Sequence, residues 1–124
     1  MANIGKKILI VDDLKSYLWV LSQTFIQEGF IVFTAENGEE GLALAMEEKP
    51  DLILSDITMP KMDGLTMVKK LKEANISTPI IFLTNMSDIK NISAGLENSK
   101  DYIVKSDKSV EEVVLIAKEK LYIK

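Results

Sequence analysis

Five short runs rich in β-formers, Lys7–Val11, Ile31–Thr34, Leu52–Ser55, Ile80–Leu83 and Tyr102–Val104, alternate with stretches patterned for amphipathic helices near 14–28, 38–48, 65–74, 87–97 and 109–122. Strand and helix taking turns, with short links, leaves little choice of architecture. Parallel neighbours need a crossover between them, and the crossover helices cover both faces of the sheet. The expected fold is α/β, a doubly wound five-stranded parallel sheet with five helices.

The helical stretches carry their own boundary signals. In the first, Tyr17, Leu21, Thr24, Phe25 and Glu28 fall on one side at helical spacing, and Gly29 is placed to end it. In the last, Val110, Val113, Val114, Ala117 and Leu121 form one stripe behind a Ser109 cap, with Glu112 at capping-box distance. The fourth has a thin apolar stripe interrupted by Gly95.

A chain of 124 residues is the length of one domain with its own core, so 1–124 is read as a single domain. The sequence stops where the last helical stretch stops, and no output domain is expected. No apolar run approaches the roughly 18 residues that span a bilayer, and the N-terminus lacks the hydrophobic stretch of a signal peptide, so a cytoplasmic location away from membranes is expected.

Composition removes several chemistries. With no cysteine and no histidine there are no disulfides, thiolate nucleophiles or imidazole bases, and any metal must be held by oxygen. All fifteen basic residues are lysine, so the forked guanidinium contacts that read guanine are missing, and a net charge of −4 further disfavours direct contact with nucleic acid. Neither a P-loop motif nor a G-x-G-x-x-G turn is present.

Ligands of an open parallel sheet bind outside the carboxyl ends of its strands, beside the point where the winding reverses. The polar residues at those ends are Asp12 and Asp13 after the first strand, Asp56 after the third, Thr84 after the fourth and Lys105 after the fifth. Wound in the order 2-1-3-4-5, the first and third strands are neighbours and their three carboxylates converge. Two unit charges about 5 Å apart repel by roughly 3 kcal/mol at an effective dielectric near 20, so the cluster either raises its pKa values or holds a cation. Oxygen ligands in a partly open site suit Mg²⁺.

Taken singly, each of these residues has an ordinary explanation. Alone, Asp12-Asp13 reads first as a turn capping the next helix, Thr84 as a common strand-end residue and Lys105 as a solvated charge. Asp63-Gly64 caps the third helix, and Pro60 holds Met59 extended. Their joint occurrence at one sheet edge favours a site.

The runs "KILIVDD", "LILSDITMPKMDG", "FLT" and "DYIVK" together resemble a response-regulator receiver domain of two-component signalling, of the stand-alone, CheY-like kind with a flavodoxin-like fold. The resemblance covers nearly the whole chain. It implies a phosphorelay protein rather than an enzyme in the ordinary sense. Asp56 would accept a phosphoryl group from a phosphohistidine. Asp13 would bind Mg²⁺ directly and Asp12 largely through water, with Asp56 and the backbone carbonyl of Thr58 completing the protein ligands. Thr84 and Lys105 would each bond a phosphoryl oxygen, and Tyr102, three positions before Lys105, would follow Thr84 inward as the switch. The face of the fourth helix, fifth strand and fifth helix would then control a downstream protein partner.

Two rival readings share parts of this pattern. A receiver-shaped scaffold acting without phosphate would be signalled by loss of an acid or of the lysine, and all are intact. A Mg²⁺-dependent phosphatase of haloacid-dehalogenase type needs a second Asp two residues after the nucleophile, where Thr58 stands.

The chain departs from the family pattern at Asn85, where a small residue is usual, at Glu97–Lys100, where Asn98 takes the place of a capping glycine, and at Lys105-Ser106, where Pro usually follows in a cis peptide. A cis bond before Ser costs about 3–4 kcal/mol, so a trans bond is expected. Thr58 and Met86 occupy variable positions linked in the family to the rate of dephosphorylation.

Two apolar surfaces are candidates for partners. Trp19 and Ile26 lie seven apart on the outer side of the first helix near Leu14, where members of this family dock a sensor histidine kinase or a histidine phosphotransfer protein. Leu115 with Tyr122, and Ile116 with Ile123, lie off the core stripe of the last helix. They read either as scattered exposed apolar residues or as a surface for a partner or a homodimer.

Overall fold

The computed structural model describes residues 5–85 and 102–122. In chain order the elements are β1 (Lys7–Val11), α1 (Lys15–Gln27), β2 (Ile31–Ala35), α2 (Gly38–Glu48), β3 (Leu52–Asp56), α3 (Gly64–Glu73), β4 (Ile80–Thr84), β5 (Tyr102–Val104), a 3-10 turn (Lys105–Asp107) and α4 (Val110–Tyr122). The strands form one parallel sheet in the order β2-β1-β3-β4-β5, as expected. Among the described residues there are four α-helices. The helix expected at 87–97 lies outside them, as do Met86, Asn98 and Ile123.

Successive strand residues feed opposite cores, the consequence of a two-residue side-chain period in a sheet covered on both sides. Ile8, Ile10, Leu52, Leu54, Ile81 and Leu83 pack with Leu18, Leu21 and Phe25 of α1 and Val113, Val114 and Ala117 of α4. Leu9, Val11 and Ile53 pack with Ala45 of α2 and Met67 and Leu71 of α3. The central strand β3 is buried at every position, so its register cannot slip without exposing a core face.

Helix ends form where the residues call for them. Gly29 takes φ +97°, its N–H bonding the Ile26 carbonyl while that of Phe30 bonds the Phe25 carbonyl. This is a Schellman termination, closed by an edge-to-face contact of the Phe25 and Phe30 rings at 5.3 Å. Ser109 and Glu112 form the expected capping box, with N–H to Oε1 at 2.9 Å and N–H to Oγ at 3.1 Å.

Three strands run one residue beyond the expected ends, to Ala35, Asp56 and Thr84. The parallel ladder is a backbone structure and does not stop at the first polar side chain: Asp56 pairs in register with Leu83, and Thr84 with Val104. Ile116 also differs from expectation, packing half-buried against the core beside the main stripe of α4, while Leu115 and Tyr122 are exposed. No peptide bond among the described residues is cis, Lys105–Ser106 included.

Candidate functional site

The carboxyl ends of β1 and β3 lie side by side, and Asp12, Asp13 and Asp56 each offer an oxygen within 4.8 Å of the others. Asp12 is fully buried. Its N–H continues the ladder to the Ala35 carbonyl at 3.0 Å, and its Oδ1 accepts the Leu14 N–H at 2.9 Å, turning the chain into α1. The helix-cap alternative for the Asp12-Asp13 pair is not what forms, since the residue at the cap position is Leu14 and α1 has no side-chain cap bond. Asp13 is exposed at the mouth of the cluster.

Asp56 is 4% exposed, with Oδ1 accepting the Ile57 N–H at 2.7 Å and Oδ2 turned to Lys105. Two contacts, one from β3 itself and one from the start of α3, hold this strand tip. The Ser55 hydroxyl donates to the Asp56 carbonyl at 2.8 Å, and Gly64 packs so closely that a Cβ would stand 2.2 Å from that same oxygen. Asp63 caps α3 as expected, its Oδ1 accepting the Thr66 N–H at 2.7 Å.

Lys105 enters from the end of β5. Its Nζ lies 2.7 Å from Asp12 Oδ2 and 3.2 Å from Asp56 Oδ2. The first contact is the shorter, and it pairs a buried Asp12 oxygen with the ammonium. One ammonium against three carboxylates leaves the cluster net negative, and the titrations follow. Burial pushes the Asp56 carboxyl above its ordinary range, Lys105 partly offsetting this and Asp12 adding to it. Burial opposes the charge on Lys105, but Asp12 and Asp56 together outweigh it and raise its pKa.

An all-oxygen donor set with a net negative charge fits a small hard cation such as Mg²⁺. The residues available to hold it are Asp12, Asp13 and Asp56. Thr58 is exposed in the loop after β3.

Thr84 is buried at the tip of β4, and its hydroxyl donates to the Asn85 carbonyl at 3.2 Å rather than joining the carboxylates. Asn85 is exposed. Tyr102 is half-buried, its ring against the small cluster formed by Ile57 and Phe82. One residue at the site had not been read as part of it. Tyr17, placed by its spacing on the inner face of α1, has its ring centroid 4.9 Å from Lys105 Nζ. Its position one turn beyond Asp13 was the available signal.

A doubly wound parallel sheet whose two central strand tips gather three acids around one lysine defines an α/β class with an acidic, metal-compatible edge. Residues 8–117 match the response regulator receiver domain family, and the chain belongs to that family. It is 40% identical over 103 residues to the alkaline phosphatase synthesis transcriptional regulatory protein PhoP of Bacillus subtilis, covering 82% of this chain and 43% of that protein. The chain spans less than half the length of the curated relatives it matches. Among solved structures it resembles chemotaxis response regulator CheY4 of Vibrio cholerae, with a TM-score of 0.80 and 31% identity over 92% of this chain and 97% of that one. It also resembles a chain of the CheX–CheY–BeF3–Mg²⁺ complex from Borrelia burgdorferi, with a TM-score of 0.82 and 30% identity over 98% and 92%.

Proposed function

We propose that this receiver domain accepts a phosphoryl group on Asp56 from a phosphohistidine of a sensor kinase or phosphotransfer protein, with Mg²⁺ bound at Asp12, Asp13, Asp56 and the Thr58 carbonyl. The observation that carries this reading is the buried Asp56 carboxylate held at a strand tip with Oδ2 3.2 Å from Lys105, inside the three-acid cluster. The likeness to a chain from a complex containing BeF3 and Mg²⁺ supports it.

In the transfer, an Asp56 oxygen forms a bond to phosphorus as the phosphorus–nitrogen bond of the donor breaks, and the departing imidazole keeps the electron pair and takes up a proton. Such a reaction asks the protein mainly for alignment and for positive charge near the phosphoryl oxygens. The rigid β3 tip supplies alignment and Lys105 supplies charge. Bound Mg²⁺ would neutralise the carboxylates and the incoming oxygens. The Thr84 hydroxyl would exchange the Asn85 carbonyl for a phosphoryl oxygen, and Tyr102 would move into the space vacated, changing the face formed with α4 and read by a protein partner. Leu14, Trp19 and Ile26, 54%, 65% and 49% exposed, offer apolar anchors for the donor protein on α1.

Acetyl phosphate with Mg²⁺ tests the reading. One phosphoryl group per chain, absent from Asp56→Asn, supports it. No labelling would mark a phosphate-independent scaffold, and repeated turnover of phosphomonoesters would mark a phosphatase.

A further inference from the structure

Lys105 has three attractive neighbours: Asp12, Asp56 and the face of Tyr17. A divalent cation bound by the carboxylates would draw on the same oxygens that hold the ammonium and would repel it. The aromatic face is the neighbour for which a metal does not compete. A ring quadrupole attracts an ammonium in a partly desolvated setting whatever the charge of the acids nearby.

We propose that Tyr17 is a positioning residue for the transfer to Asp56: its ring keeps the Lys105 ammonium at the mouth of the site once the carboxylates are engaged by metal. This rests on the function proposed above. The ring is fixed for the task, because α1 presents it from the inner face and it packs on the core cluster around Leu18 and Leu21. The hydroxyl is not what holds the lysine. It is buried without a hydrogen-bond partner, and burial raises its pKa, so it stays neutral.

The contact makes Phe and Leu behave differently at position 17. Tyr17→Phe keeps the ring and removes an unsatisfied hydroxyl, so its initial rate of labelling by acetyl phosphate with Mg²⁺ should match the unaltered protein. Tyr17→Leu keeps the apolar packing and loses the ring, and its labelling should be slower by about fivefold. Tyr17→Met serves the same purpose if Leu impairs folding. Equal rates in the Phe and Leu variants, fast or slow, would overturn the proposal.

Failure of the underlying function has a different signature, since the unaltered protein would not label at all. The clamp is then read in the metal-free protein by thermal unfolding. Tyr17→Leu should lower the Tm relative to Tyr17→Phe, and the difference should shrink when Lys105→Met is also present. An undiminished difference in that background means that the ring acts only as core packing.

Discussion

Lys105 Nζ stands 3.2 Å from Asp56 Oδ2, joining the tip of β5 to the tip of β3 across the intervening strand β4. The pair is shared, since the same ammonium lies 2.7 Å from Asp12 Oδ2. The cluster therefore holds more negative charge than it neutralises.

Removing one charge should stabilise the metal-free protein. The folded-state pKa of Asp56 is raised above its unfolded value, so its favourable contribution is present below about pH 4, where both states are protonated, and is lost as pH rises through the folded value. Above that pH the buried carboxylate is a cost relative to a neutral isostere, and Asp56→Asn should raise the Tm. The gain should disappear below about pH 4. Thermal melts of both proteins across this range check the sign, and saturating Mg²⁺ should reverse it by stabilising only the intact site.

Metal affinity should weaken on acidification sooner than ordinary carboxylates would require. Protons compete with the cation for Asp56, whose pKa is held up by burial and by Asp12 against the opposing pull of Lys105. Calorimetric Mg²⁺ titrations should show affinity falling as pH drops while free carboxylates, with pKa values near 4, are still ionised. A constant affinity over that interval would contradict it.

Gly64 tolerates no side chain. A Cβ there would stand 2.2 Å from the Asp56 carbonyl oxygen, backbone that cannot move without shifting the strand tip. Gly64→Ala should cost about 2–3 kcal/mol in denaturant unfolding and should also slow labelling of Asp56.

Thr84 should separate phosphorylation from switching. Its hydroxyl rests on the Asn85 carbonyl, a partner that a phosphoryl oxygen on Asp56 would replace. Thr84→Ala should still accept phosphate, but the Tyr102 ring should keep its resting environment by NMR. Movement of the ring in both proteins would break the proposed coupling.

The strand order, the cores and the convergence of the acids were legible because burial leaves a periodic trace, as in the apolar runs around Ile8–Ile10 and Leu52–Leu54. The final residues of β3 and β4 were not, because Asp56 and Thr84 look like chain ends while their backbones still pair. Tyr17 was placed on the correct face but not at the site. Helical spacing reports which side of α1 is buried, whereas the approach of Lys105 depends on how β5 and α1 meet in space. Likewise, nothing in the stripe of α4 separated half-buried Ile116 from exposed Leu115.

The most direct measurement locates the phosphoryl group. After incubation with acetyl phosphate and Mg²⁺, reductive trapping of acyl phosphate followed by peptide mass spectrometry should modify Asp56 alone, in one site per chain, and omission of Mg²⁺ should abolish the signal. Modification at another carboxylate, or at Asp56 regardless of metal, would contradict a metal-assisted transfer to the β3 tip.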